Sequence, residues 1–280
     1  RARTCYCATI FIIFSMLQKL IAFFIHINPK TKRQFWKWWY NTFTTKTKDQ
    51  DFKFMNYGYD EDGFYPELNS EDESERYPIH LYHHVVTQVD ISGKRILEVG
   101  SGRGGGASYI VRYLNPALVH GIDISESAVE LCNEIPKAEN LSFSEGDSEN
   151  IPFKDETFDV VLNVESSHCY GDMNKFLSEV KRVLIPGGFF LWCDLRPVNI
   201  LENLNNQFFK SGLELIQKTD ITNNIIIALE KMSESRKGSI QEKVPKLIRK
   251  VFESYAGVKG SHVHDSFING DLIYLSAALE

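Results

Sequence analysis

The chain has 280 residues, 43% of them hydrophobic and 24% charged, enough for one large domain with an extra segment and a sizeable core. Its net charge of −6 argues against a nucleic-acid partner. Cys5, Cys7, Cys132, Cys169 and Cys193 have no zinc-ligand spacing and make an odd number for a disulfide framework, so free thiols and a cytoplasmic location are expected.

The chain opens on Arg1, and Met16 offers an alternative start. Residues 5–27 are rich in Ile, Phe and Leu but carry Lys19 near the middle, which is costly in a membrane span. Leu17, Leu20, Ile21, Phe24 and Ile27 recur at helical spacing, and basic residues with Trp36, Trp38, Trp39 and Tyr40 follow. Residues 1–53 are therefore expected to be an apolar, then basic and aromatic, helical segment. It either packs on the domain as a lid or makes peripheral contact with a membrane surface. An acidic stretch comes next, with eight Asp or Glu and no base between Asp60 and Glu75.

From there the pattern alternates. Residues 77–89 read as a helix, 95–99 as a first strand and 104–114 as the helix behind a glycine-rich loop. Residues 119–124 form a second strand, and Ser125 caps the following helix. A short third strand spans 141–143, and the run FDVVLNV at 158–164 is a strand buried on both faces. Asp172 caps a helix with its apolar stripe at Met173, Phe176, Leu177, Val180, Val183 and Leu184, stopped by Pro186-Gly187-Gly188. Residues 189–193 make a fifth strand and 272–279 a last one, while 199–254 read as helical and more polar. Strands alternating with helices imply a doubly wound α/β fold with a largely parallel sheet.

In such sheets the chemistry sits at the carboxyl ends of the strands, which here carry Glu98, Asp123, Asp147, residues 165–168 and Asp194. The loop ILEVGSGRGGG (96–106) suits close approach of a ligand to the backbone, but Gly100, Gly102 and Gly105 also satisfy the dinucleotide pattern. Asp123, placed 21 residues after Gly102, can take a ribose diol in either kind of site. Asp147 can meet an adenine amino group, with Ile151-Pro152-Phe153 covering the purine.

Taken together, EVGSGRG (98–104), GIDIS (121–125), EGDSENIPF (145–153), FDVV (158–161) and RVLIPGG (182–188) resemble the class I S-adenosylmethionine-dependent methyltransferases. The resemblance covers 54–280. It implies a Rossmann-like, seven-stranded sheet in the order 3-2-1-4-5-7-6 with strand 7 antiparallel, and 199–254 as a helical substrate lid. S-adenosylmethionine is the implied cofactor. Its implied contacts are Tyr59, Glu98, Gly100, Gly102, Gly104, Asp123, Ile124, Asp147, Ser148 and Asn163.

A hydroxyl must lose its proton as it accepts a methyl group, and a positioned histidine is the usual base. His168 leaves the fourth strand and Asp194 the fifth, so the two are expected to meet as base and orienting acid. An ion pair of Asp194 with Arg196 is the competing expectation, and Cys169 is expected to be a wall residue. No metal site is expected. The segments TQVD (87–90), GGGASY (104–109), FDVVLNVESSHCY (158–170) and DLRP (194–197) resemble the phthiotriol/phenolphthiotriol dimycocerosate methyltransferase group. That resemblance implies O-methylation of a hydrophobic small molecule or polyketide-type lipid. C-methylation of a sterol-like or quinone-like acceptor, and cofactor binding at a membrane surface without turnover, are the alternatives.

Overall fold

The computed structural model describes residues 31, 53–134, 138–243, 249, 253 and 256–280. A strap at 53–64 leads through a 3-10 turn (Ser70–Glu75) into helix α1 (Arg76–Val86). Strand β1 (Arg95–Val99), helix α2 (Gly105–Tyr113), β2 (Leu118–Asp123), α3 (Glu126–Cys132) and β3 (Leu141–Glu145) follow. The second half runs β4 (Phe158–Val164), α4 (Met173–Val183), β5 (Leu184–Pro197), α5 (Leu201–Ser211), β6 (Leu215–Asp220), α6 (Thr222–Lys243), α7 (His262–Ile268) and β7 (Leu272–Leu279).

These strands form one sheet in the order β3-β2-β1-β4-β5-β7-β6, and β7 runs antiparallel to both of its neighbours. This is the expected Rossmann-like arrangement. Alternate strand residues feed two separate cores, the period-2 consequence of a sheet covered on both faces. Ile96, Val160, Leu162, Val164, Leu191 and Cys193 pack on one side against α1, α2, α6 and α7. Leu97, Val99, Val161, Phe190 and Trp192 pack on the other, against α4 and α5. The stripe on α4 is as expected, with Phe176, Leu177, Val180 and Val183 buried and Asp172 capping through Oδ1 to the amides of Asn174 and Lys175.

Register brings the carboxyl ends into line. Val99 stands opposite Ile122, Asp123 opposite Glu145 and Val164 opposite Cys193. Glu98, Asp123, Glu165 and Asp194 therefore share one edge of the sheet, and the strap, pressed on α2 through Lys53 and Phe54, runs along that edge.

One stretch departs from expectation. Residues 199–254 are not helical throughout, because β6 lies between α5 and α6 and closes the sheet. All six β6 residues are exposed, so the strand carries no alternation of apolar and polar residues that the sequence could display. Strand β5 is also longer than expected at both ends, and α1 stops three residues earlier. The expected N-terminal helical segment, apart from Thr31 and Lys53, lies outside the described residues, as does part of 244–254. Among the described residues no helix is long and apolar enough to cross a membrane.

Candidate active site

The glycine loop turns sharply between β1 and α2. Gly100, Gly102 and Gly104 have φ of 80°, 53° and 77°, a region that side chains other than glycine enter at a cost. Gly100 and Ser101 donate to Ile122 O at 2.8 and 3.0 Å, and Gly102 N donates to Asp123 Oδ2 at 2.9 Å. Asp123 Oδ1 accepts from Ser125 N at 2.9 Å, so this carboxylate spans the loop and the start of α3, with Ile124 between. Asp147 closes its own turn by accepting from Glu149 N at 2.9 Å, and Ser148 stands beside it, partly exposed.

Three polar atoms around this loop are buried without a hydrogen-bond partner: Glu98 Oε2, Ser101 Oγ and Asn163 Oδ1. Glu98 is fully buried, and its other oxygen accepts from Tyr82 OH at 2.7 Å. Burial, helped by the charge of Asp123 and opposed by Tyr82, pushes its carboxyl up to about 8. Asn163 donates to Val99 O and Tyr170 OH at 2.8 and 2.9 Å. Buried polar groups are costly when unpaired, so a cluster of three beside a glycine turn suits a ligand rich in donors. S-adenosylmethionine, with its ammonium and ribose hydroxyls, fits that chemistry.

A proton is expected to leave on binding. Glu98 is mostly neutral at pH 7 without a cation beside it, and an ammonium there favours the carboxylate. Titration calorimetry at pH 7 in two buffers of different ionisation enthalpy should register release of up to about one proton. Heat independent of the buffer would remove Glu98 from the ammonium's neighbourhood. The sign for stability is opposite to the usual carboxylate. A folded pKa above the free value of 4.5 makes the cofactor-free protein lose stability as pH rises from there towards about 8.

On the acceptor side the expected pair is formed. His168 Nδ1 lies 2.7 Å from Asp194 Oδ1, and the side chain of Asp194 is completely buried while that of His168 is 27% exposed. Asp194 Oδ2 also accepts from His168 N and Ser167 Oγ at 2.7 Å each, and Oδ1 from Leu195 N at 2.8 Å. The ion pair with Arg196 is present as well, at 2.9 Å, so the two expectations for Asp194 coexist. Arg196 further donates to Ser167 Oγ at 2.7 Å and lies over the Trp192 ring at 5.2 Å. Burial works against a charge on Asp194, but Arg196, His168 and Ser167 outweigh it and hold the carboxyl well below its usual range. Burial also opposes a charged His168, yet the Cys169 sulfur and Asp194 prevail and raise its proton affinity well above a free histidine's.

Tyr59 lies in the strap. Its hydroxyl donates to Glu61 at 2.5 Å and its ring stacks on His84 of α1 at 4.4 Å. Tyr57, two residues earlier, reaches the His168 loop: its N–H donates to Glu165 Oε2 at 2.8 Å. Tyr274 OH of β7 donates to the same oxygen at 2.8 Å. Glu165 has φ 47°, which costs a non-glycine residue about 1–2 kcal/mol. Burial, with the charge of Asp194, pushes its carboxyl up to about 7, against Tyr57 N–H, Tyr274 and His168. Glu165 and Tyr170 were legible within the segment that holds His168, whereas Tyr274 carries no motif. His264 of α7 is buried at 5% exposure with Glu230 3.5 Å away.

Residues 97–192 match a family model described as a methyltransferase domain. The chain is 37% identical to a phthiotriol/phenolphthiotriol dimycocerosates methyltransferase of Mycobacterium leprae, over 88% of this chain and 92% of that one. It is likewise 37% identical to a fatty-acid O-methyltransferase of Mycolicibacterium smegmatis, covering 84% and 86%. The solved geranyl diphosphate C-methyltransferase of Streptomyces coelicolor, bound to S-adenosyl-L-homocysteine, superposes with a TM-score of 0.64 at 15% identity, over 89% of this chain and 97% of that one, a likeness of fold.

Proposed function

The chain belongs to the S-adenosylmethionine-dependent methyltransferases of the phthiotriol/phenolphthiotriol dimycocerosates group, and from that premise we propose that it methylates a hydroxyl of a hydrophobic small molecule or polyketide-type lipid, with His168 as general base. The observation that carries this reading is the 2.7 Å contact between His168 Nδ1 and a buried, ionised Asp194. With Nδ1–H committed to Asp194, Nε2 is the basic nitrogen, and the imidazolium formed on taking the hydroxyl proton is stabilised by the same carboxylate.

When bound, S-adenosylmethionine supplies an electrophilic methyl group on a sulfonium. Gly100, Gly102 and Gly104 let it lie against the backbone, with Glu98 at the methionine end. Asp123 and Ile124 hold the ribose, Asp147 and Ser148 the adenine, and Asn163 completes the wall along β4. Tyr59 stays in this proposed set, with its hydroxyl direction fixed by Glu61. Methyl transfer is an in-line displacement, so most of the remaining task is alignment.

A second reading has an observation of its own. The raised proton affinity of His168, with Arg196 close by, favours an anionic acceptor such as a fatty carboxylate, which needs no base. The relative named a fatty-acid O-methyltransferase points the same way. Incubation with S-adenosylmethionine and either a long-chain secondary alcohol or a long-chain fatty acid separates the two. Methyl ether is the expected product, ester alone selects the second reading, and neither product overturns both.

A further inference from the structure

Four consecutive residues after β4 tie the His168 loop to three parts of the molecule: the strap, the glycine loop and β5. Ser166 lies against the glycine loop, where a Cβ on Gly100 would meet its Oγ at 2.0 Å. Ser167 binds Asp194, Trp192 and Arg196, and His168 binds Asp194. Glu165 reaches the strap, and no step proposed above uses it.

We propose that Glu165 is a positioning residue, whose carboxylate pins the strap at Tyr57 and strand β7 at Tyr274 to the loop that carries His168. This rests on the reading of His168 as the acceptor-side base. The strap's other anchors come from helices: Asn56 Nδ2 donates to Pro78 O of α1, Arg236 of α6 donates to Asn56 O at 2.7 Å, and Lys231 of α6 pairs with Asp60 at 2.6 Å. Those contacts hold the strap to the outer layer of the domain. Glu165 ties it to the sheet edge where the chemistry is placed, through partners 108 and 109 residues away in the chain.

The backbone supports the assignment. At φ 47° a glycine or asparagine would sit with less strain, so the conformation does not account for a glutamate. What the glutamate adds is one oxygen that accepts two hydrogen bonds at 2.8 Å, while its N–H donates to Cys193 O of β5 at 2.9 Å. Strap, β7, β5 and the His168 loop thus meet at one residue. Docking of the strap and setting of the imidazole become a single event, which is where alignment of the acceptor is decided.

Glu165→Gln and Glu165→Gly separate the possibilities. Glutamine keeps an accepting oxygen for both donors, whereas glycine relaxes the backbone and removes the grip. Hydrogen exchange at the Tyr57 amide and turnover of a long-chain secondary alcohol are the two readouts. In Glu165→Gly, exchange should quicken and turnover fall, each by about tenfold or more, while Glu165→Gln stays within about threefold of wild type in both. Glu165→Asn tolerates the same backbone but is one methylene too short, and it replaces the glycine variant should that fail to fold. Wild-type exchange and turnover in Glu165→Gly would overturn the proposal. So would a Glu165→Gln protein that keeps Tyr57 protected but turns over as slowly as Glu165→Gly, since the carboxyl proton would then take part in the chemistry itself. Tyr57 exchange needs no acceptor, so a wrong reading of the acceptor leaves the strap measurement intact.

Discussion

His168→Ala should lower turnover of a hydroxyl acceptor by about 10²-fold or more while leaving affinity for S-adenosylhomocysteine unchanged. The imidazole contacts Asp194 and, on the proposed reading, faces the acceptor, whereas the proposed cofactor seat is the glycine loop with Asp123 and Asp147. The wild-type pH profile sharpens the test. Asp194 raises the proton affinity of His168 above its ordinary 6.5, so the neutral, basic form appears only as pH climbs past that value. Rate with a hydroxyl acceptor should therefore still be rising with pH well above that ordinary value, and the rise should be absent in His168→Ala. A carboxylate acceptor should behave oppositely. It is bound better by the imidazolium, so its rate falls as pH rises and the mutation acts on KM more than on kcat. Equal turnover of a hydroxyl acceptor by both proteins would remove the base.

Gly100→Ala is the second large effect. A Cβ there would stand 2.0 Å from Ser166 Oγ, 2.7 Å from Ser166 Cβ and 2.9 Å from Tyr170 OH, at a φ of 80°. The Ser166 hydroxyl can rotate away, but its Cβ cannot, so the loop carrying His168 must shift. Strain of about 1–2 kcal/mol and overpacking of about 1–3 kcal/mol together predict a loss of about 2–5 kcal/mol. In thermal unfolding this should appear as a midpoint lowered by about 5–10 °C. Gly102→Ala is the informative contrast, because its Cβ would meet nothing within 4 Å. Only the backbone strain remains, about 1 kcal/mol, so the cofactor-free protein should melt almost normally. Affinity for S-adenosylhomocysteine should nevertheless fall, since the open space is where the ligand would lie. Unchanged affinity in Gly102→Ala would move the cofactor away from this loop.

The motifs that announced the fold are short and local. A strand ending in an acid, glycines at alternate positions and a β-branched run buried on both faces each record one backbone geometry, and such geometry is written in neighbouring residues. The pairing of His168 with Asp194 was also legible, because strand order makes β4 and β5 neighbours and both residues follow their strands' core. Tyr59 shows what that kind of inference leaves out. The resemblance implies a cofactor contact there, and only the structure adds that Glu61 takes its hydroxyl, that its ring stacks on His84 and that the neighbouring Tyr57 N–H binds Glu165. Edge strand β6 was illegible for a related reason. An exposed strand needs only backbone partners, which any side chains allow.

By itself, then, the sequence determined the alternating frame of strands and helices and the motifs of a methyl-donor site, and it singled out His168 and Asp194 as residues that meet, since each depends on periodicity or on short motifs at strand ends. Only the tertiary structure decided how Asp194 is shared between His168 and Arg196, which polar atoms around the glycine loop lack partners, and how Glu165 joins Tyr57 to Tyr274. Those outcomes depend on burial and on contacts spanning more than 100 residues. Burial sets the proton affinities of Glu98 and Glu165, and no local pattern of residues encodes the dielectric in which a carboxylate will finally sit.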